Sequence, residues 1–159
     1  MKTAILLLTA TLALLVRPAL AQDKSNALAI IVNKASAMDD VSLTDLAKIF
    51  KAQKATGPDG VAFVLGVRDA GPDHVCAIKK IYGMDTDAQY DKYFLQAAFA
   101  GTVQGPPAVL SSSAAVLQFV SASPGGISFL CAGDVDGSVK VLKVDGKAPG
   151  DAGYELTIK

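Results

Sequence analysis

Residues 61–83, VAFVLGVRDAGPDHVCAIKKIYG, constrain the fold more than any other stretch of this chain. An apolar run of strand length, residues 61–65, leads into a turn that holds Arg68, Asp69 and Gly71. The pattern then predicts a helix over residues 73–82, entered at Pro72–Asp73 and closed by Gly83 in the left-handed conformation. A strand that feeds a helix through a glycine-bearing turn is an α/β device. It aims backbone N–H groups at whatever lies beyond the carboxyl end of the sheet.

The residue types around that turn pull in opposite directions. Arg68 follows the strand, and a guanidinium at that edge can hold a carboxylate or phosphate through two parallel hydrogen bonds. Its competing use is an ion pair with Asp69 or another surface aspartate. Asp73, as the helix N-cap, would accept N–H groups that an anion would otherwise receive, and its charge repels phosphate. Pro72 removes one further donor. His74 is the sole histidine, and its place in the first helical turn predicts exposure. Asp69 and Asp73 stand near it, but no G-x-S-x-G elbow or other positioned nucleophile accompanies it, so enzymatic hydrolysis is not expected.

The rest of the chain continues the α/β alternation. Residues 27–32 (ALAIIV) form a continuous apolar run suited to a strand covered on both faces. Ser42 caps a helix whose apolar stripe is Leu43, Leu46, Ile49 and Phe50, with Asp45 in capping-box position. Asp85 or Thr86 opens another helix with Tyr90, Phe94, Ala97 and Ala98 facing inward, ending at Gly101. Residues 111–113, all serine, cap a helix carrying Val116, Leu117 and Val120. Pro124-Gly125-Gly126 then turns into a strand over residues 127–130. Residues 139–144 and 154–158 alternate as strands, with Asp145-Gly146 as a hairpin-type turn. This order predicts an α/β three-layer sandwich.

Residues 1–21 have a basic start, an apolar run and an Ala-Leu-Ala cleavage signature, which predicts a signal peptide and a periplasmic or secreted product. A polar leader, residues 22–26, would precede a single domain over residues 27–159. Without Lys2 and Arg17, 13 basic side chains face 15 acidic ones, so no basic face is offered to nucleic acid. Cys76 lies on the apolar face of the central helix and Cys131 ends an apolar strand. A disulfide between them and two buried free thiols are both open readings. Two distant cysteines and one histidine make no metal cluster, and no cofactor is expected.

Taken together, VSLTDLAKIF, the Gly-Pro-Asp-Gly turn before FVLGVRDAG, the helix ending in IYGM and AAVLQFVSASPGGISFL are similar to the phosphate-type periplasmic substrate-binding proteins of ABC transporters. The closing VKVLKVDGKAP resembles the end strand and turn of that family. The resemblance runs from about Leu28 to Leu156 and implies one lobe of a type 2 periplasmic binding protein-like fold. It also implies a small inorganic anion such as phosphate as ligand, held by Arg68, Gly71, Asp73 and His74 at the turn. Gly71, Pro72 and Asp73 stand where the family carries hydroxyl-bearing residues, so the implied site is only half kept. The missing half of the cleft would come from a second lobe-bearing protein, a membrane permease or a second copy in a homodimer. The alternative is a non-transport interaction module that keeps the fold and has lost the ligand.

Overall fold

The computed structural model describes residues 26–103 and 105–158. The expected signal peptide and most of the polar leader lie outside the described residues. Strands β1 (Leu28–Val32), β3 (Val64–Arg68), β4 (Ala108–Leu110), β5 (Gly126–Cys131) and β6 (Lys140–Val141) form one sheet in the order β4-β3-β5-β1-β6. Strand β3 runs parallel to both β4 and β5, whereas β1 is antiparallel to β5 and β6. A parallel two-stranded pair, β2 (Asp40–Val41) and β7 (Lys143–Val144), stands beside it.

The unbroken apolar run of β1 follows from burial on both faces. Leu28, Ile30 and Val32 pack with helices α1 (Leu43–Phe50), α2 (Pro72–Lys80) and α3 (Asp87–Phe99). Ala29 and Ile31 face the opposite layer, α4 (Ser113–Ala122), with its buried Val116 and Val120. The result is the three-layer sandwich the element order predicts. Ser42, Thr86 and Ser112 each accept the N–H of the residue three further on, so α1, α3 and α4 start on side-chain caps.

The Pro-Gly-Gly segment has a packing reason. A Cβ on Gly125 would overlap the Ala62 carbonyl, because the Gly125 carbonyl accepts the Val64 N–H at 2.9 Å. Asn33 closes the same end of the sheet. Its buried amide donates to the carbonyls of Val120 at 3.0 Å and Ser121 at 2.8 Å, tying the end of β1 to the last turn of α4.

Several expectations shift. The strand placed over residues 61–65 occupies Val64–Arg68 instead. Ala62 is held only in a bridge to Thr56, and Val61 and Val64 are exposed. Strand β4 was not anticipated. The alternating segment 139–144 divides at Leu142 into β6 and β7, because Leu142 turns into the core and donates to the Ile30 carbonyl at 2.8 Å. Residues 154–158 reduce to one bridge, Thr157 with Ala27. In α3 only Phe94 is buried and Ala98 is exposed. That helix is held by the aromatic cluster of Tyr82, Tyr90, Tyr93 and Phe94 rather than by an alanine stripe. The Asp145-Gly146 turn forms as read, with φ of 50° and 76° and a Val144–Lys147 bridge.

Candidate functional site

Arg68 is the last residue of β3, not part of the turn, so its side chain leaves the carboxyl end of the sheet beside the start of α2. The helix begins one residue earlier than the sequence suggests. Pro72 occupies the first helical position, where its missing N–H costs nothing, and Gly71 is the N-cap, with φ of 110°. Asp73 is therefore inside the first turn, and the expectation that it caps the helix is corrected. A Cβ on Gly71 would stand 2.7 Å from Asp73 Oδ1 and 3.3 Å from Arg68 Nη2, so glycine is required by the groups packed on it as well as by its φ.

Asp73 has no solvent exposure at all. Its Oδ1 accepts the backbone N–H of His74 at 3.1 Å, and its Oδ2 accepts Nη1 of Arg68 at 3.2 Å. The same Nη1 donates to Ser113 Oγ at 3.2 Å, and Ser113 Oγ donates to Asp134 Oδ2 at 2.8 Å. Arg68 thus pairs with Asp73 rather than with its neighbour Asp69. Its Nε is buried without a partner. The donors of this turn converge on an internal carboxylate instead of on open space.

The charges around the turn are balanced. The N-termini of α2 and α4 meet at Arg68, and each helix start behaves as about half a positive charge. Together with the guanidinium they face two carboxylates, those of Asp73 and Asp134. The positive and negative contributions are of similar size.

His74 is buried, not exposed as its position predicts, because the first turn of α2 lies under the start of α3. Its Nε2 donates to Asp87 Oδ1 at 2.8 Å. A carboxylate only accepts, so the proton sits on Nε2, which leaves Nδ1 buried and unpartnered. His74 is joined to the anion turn through its backbone N–H alone.

No bridge joins Cys76 and Cys131 in the structure, and Cys131 is half-buried rather than buried. Cys76 is buried, and its sulfur donates to the Thr157 carbonyl at 3.5 Å. Burial pushes that thiol up to about 11, against the pull of Lys80. Cys131 borders the Arg68 cluster. Burial raises its pKa, the negative charges of Asp73 and Asp134 add to this, and Arg68 opposes them.

Sequence reasoning missed Ser113, Asp134 and Cys131 as neighbours of Arg68. The parallel register of β3 and β4 puts Leu110 opposite Arg68, so the chain leaving β4 passes beside the guanidinium. The three-residue strand after Pro106-Pro107 was the signal that could have found them. Among the described residues, no group of His, Cys, Asp and Glu could hold a metal ion.

No protein-family model matches the chain, and no curated protein does. Solved structures do. An ABC-type phosphate transport receptor from Vibrio cholerae superposes with a TM-score of 0.54 at 18% identity, over 78% of this chain and 48% of the receptor. A phosphate ABC transporter substrate-binding protein from Clostridium perfringens, solved with bound phosphate, gives 0.60 at 19% identity, over 78% and 47%. PstS from Borrelia burgdorferi gives 0.59 at 17%, over 78% and 49%. The chain therefore has the periplasmic binding protein fold, and it spans about half the length of the structures it resembles.

Proposed function

We propose that this protein is a single-lobe, extracytoplasmic module of the binding-protein fold whose anion site is filled by its own Asp73 carboxylate. It acts through contact with another protein rather than by carrying phosphate. The observation that carries this reading is Asp73 itself, fully buried and bonded to both the Arg68 guanidinium and the His74 N–H. These are the donors a bound oxyanion would need. The likeness to phosphate transport receptors supports the fold and an extracytoplasmic setting; the geometry of the turn argues against the ligand.

A second reading keeps a small inorganic anion such as phosphate at the Arg68 edge, bound weakly, with a permease or a second lobe as partner. It is favoured by the unpartnered Nε of Arg68 and by the Ser113 hydroxyl beside it. One open lobe desolvates an ion poorly, so its affinity would be low. Isothermal titration with phosphate on the wild type and on Arg68→Ala separates the two. No saturable heat from either protein up to millimolar phosphate is the expected result. Saturable binding by the wild type that Arg68→Ala abolishes would overturn the first reading in favour of the second.

A further inference from the structure

Helix α2 has a second face that the anion turn does not use. Pro72, Val75, Cys76, Lys79 and Lys80 recur at the spacing of one helical face, and together with Thr157 of the closing segment they line a cleft of about 320 Å3. That volume lies at the lower end of small-molecule sites, about 300–1,000 Å3. The cleft follows about 12 Å of helix axis from Pro72 to Lys80, at about 1.5 Å per residue.

Its chemistry changes along its length. The end at Pro72, Val75 and Cys76 is apolar, and Val75, a large hydrophobe on the exposed face of the helix, is 53% exposed. The Cys76 thiol on the floor is neutral at ordinary pH and already donates to the Thr157 carbonyl, so it offers neither charge nor a free donor. The other end carries Lys79 and Lys80, the only charged residues lining the cleft among the described residues. Among the described residues, neither lysine takes part in an ion pair. An apolar trough with an unpaired cationic mouth is complementary to one kind of small molecule. An inorganic anion would leave the trough empty, and an uncharged hydrocarbon would leave the lysines unused.

We infer that the cleft between α2 and the segment at Thr157 binds a small amphipathic anion, an aliphatic carboxylate whose chain lies along Val75 and Cys76 with its head between Lys79 and Lys80. Neither the Arg68 guanidinium nor His74 lines this cleft, so the site does not require Arg68.

The test is a backbone amide NMR titration of the full chain with sodium butyrate, hexanoate and octanoate, with inorganic phosphate as a separate arm. Saturable shifts at Val75, Cys76, Lys79, Lys80 and Thr157 are expected, tightening about fourfold per methylene while the chain still fits the cleft. Phosphate should leave these amides unmoved. The double variant Lys79→Gln, Lys80→Gln, both exposed positions, should bind octanoate about tenfold more weakly. Octanoate should also slow alkylation of Cys76 in the wild type. Shifts that saturate elsewhere, an affinity indifferent to chain length, or equal binding by the lysine variant would each overturn the inference. Phosphate titration and the Arg68→Ala variant report on the anion turn and leave these outcomes unaffected.

Discussion

Replacing Asp73 by serine is the perturbation that separates an internal carboxylate from an ordinary helix-start aspartate. The substitution removes a fully buried charge that holds Arg68 at 3.2 Å and the His74 N–H at 3.1 Å. Removing one member of a buried pair costs about 3–5 kcal/mol, because the other charge is left uncompensated. Here the Arg68 side chain keeps 19% exposure and its bond to Ser113, so the lower end, about 3 kcal/mol, applies. A double variant, Arg68→Met with Asp73→Ser, should recover part of that loss, since no charge is then stranded. The assay is urea unfolding of wild type, single and double variants, with and without phosphate at matched ionic strength. Taking away the carboxylate gives the turn an excess positive charge. Phosphate should therefore stabilise Asp73→Ser by about 2 kcal/mol at a concentration some fiftyfold above its Kd, and the wild type hardly at all. A loss below about 1 kcal/mol, on the scale of an exposed ion pair, would refute the reasoning. So would phosphate stabilising the wild type as much as the variant.

Other outcomes follow from groups already described. Burial raises the pKa of Cys76 to about 11 and of Tyr90 to about 12, and it raises Tyr82 and Tyr154 as well. In each case the folded state holds its proton longer than the unfolded chain. Their full contribution to stability is present below about pH 9 and is lost as pH rises through 9–12, which urea midpoints measured across that range would show. Ellman titration should count two thiols per denatured chain, and in the native protein Cys131 should react well before the buried Cys76; a count of zero would reveal a bridge between them. Asn33→Ala strands the Val120 and Ser121 carbonyls and should cost about 1–3 kcal/mol in the same unfolding assay. Ser112→Ala should cost about 1 kcal/mol as a lost N-cap.

Much of the scaffold was legible because local rules and the global fold agree. The apolar run of β1, the serine and threonine caps and the Asp145-Gly146 turn each have one physical reason, contained within a few residues. The strands that were misplaced depend on partners far away. Strand β4 has only three residues, too few to show a pattern, and it pairs along the parallel edge that β3 offers. Leu142 interrupts an alternating run because the Ile30 carbonyl is waiting for its N–H. In the site, the pairing of a basic residue with a helix start was readable at Arg68, Gly71 and Asp73. The depth of Asp73 was not, since burial there depends on α3 and on the chain following β4. The two-residue shift of the N-cap from Asp73 to Gly71 turned a capping aspartate into the partner of an arginine.

The position of β1 also sets the order in which the chain can fold. Leu28 through Val32 pair with Cys131 through Ile127, so the first strand made must wait for about a hundred further residues before its main partner exists. Such long-range pairing is slow, because loop-closure entropy is spent before any contact forms. A nascent chain that ends before Gly126 lacks the main pairing partner of β1. The central pairing of the sheet can form only when the Pro-Gly-Gly turn and β5 arrive.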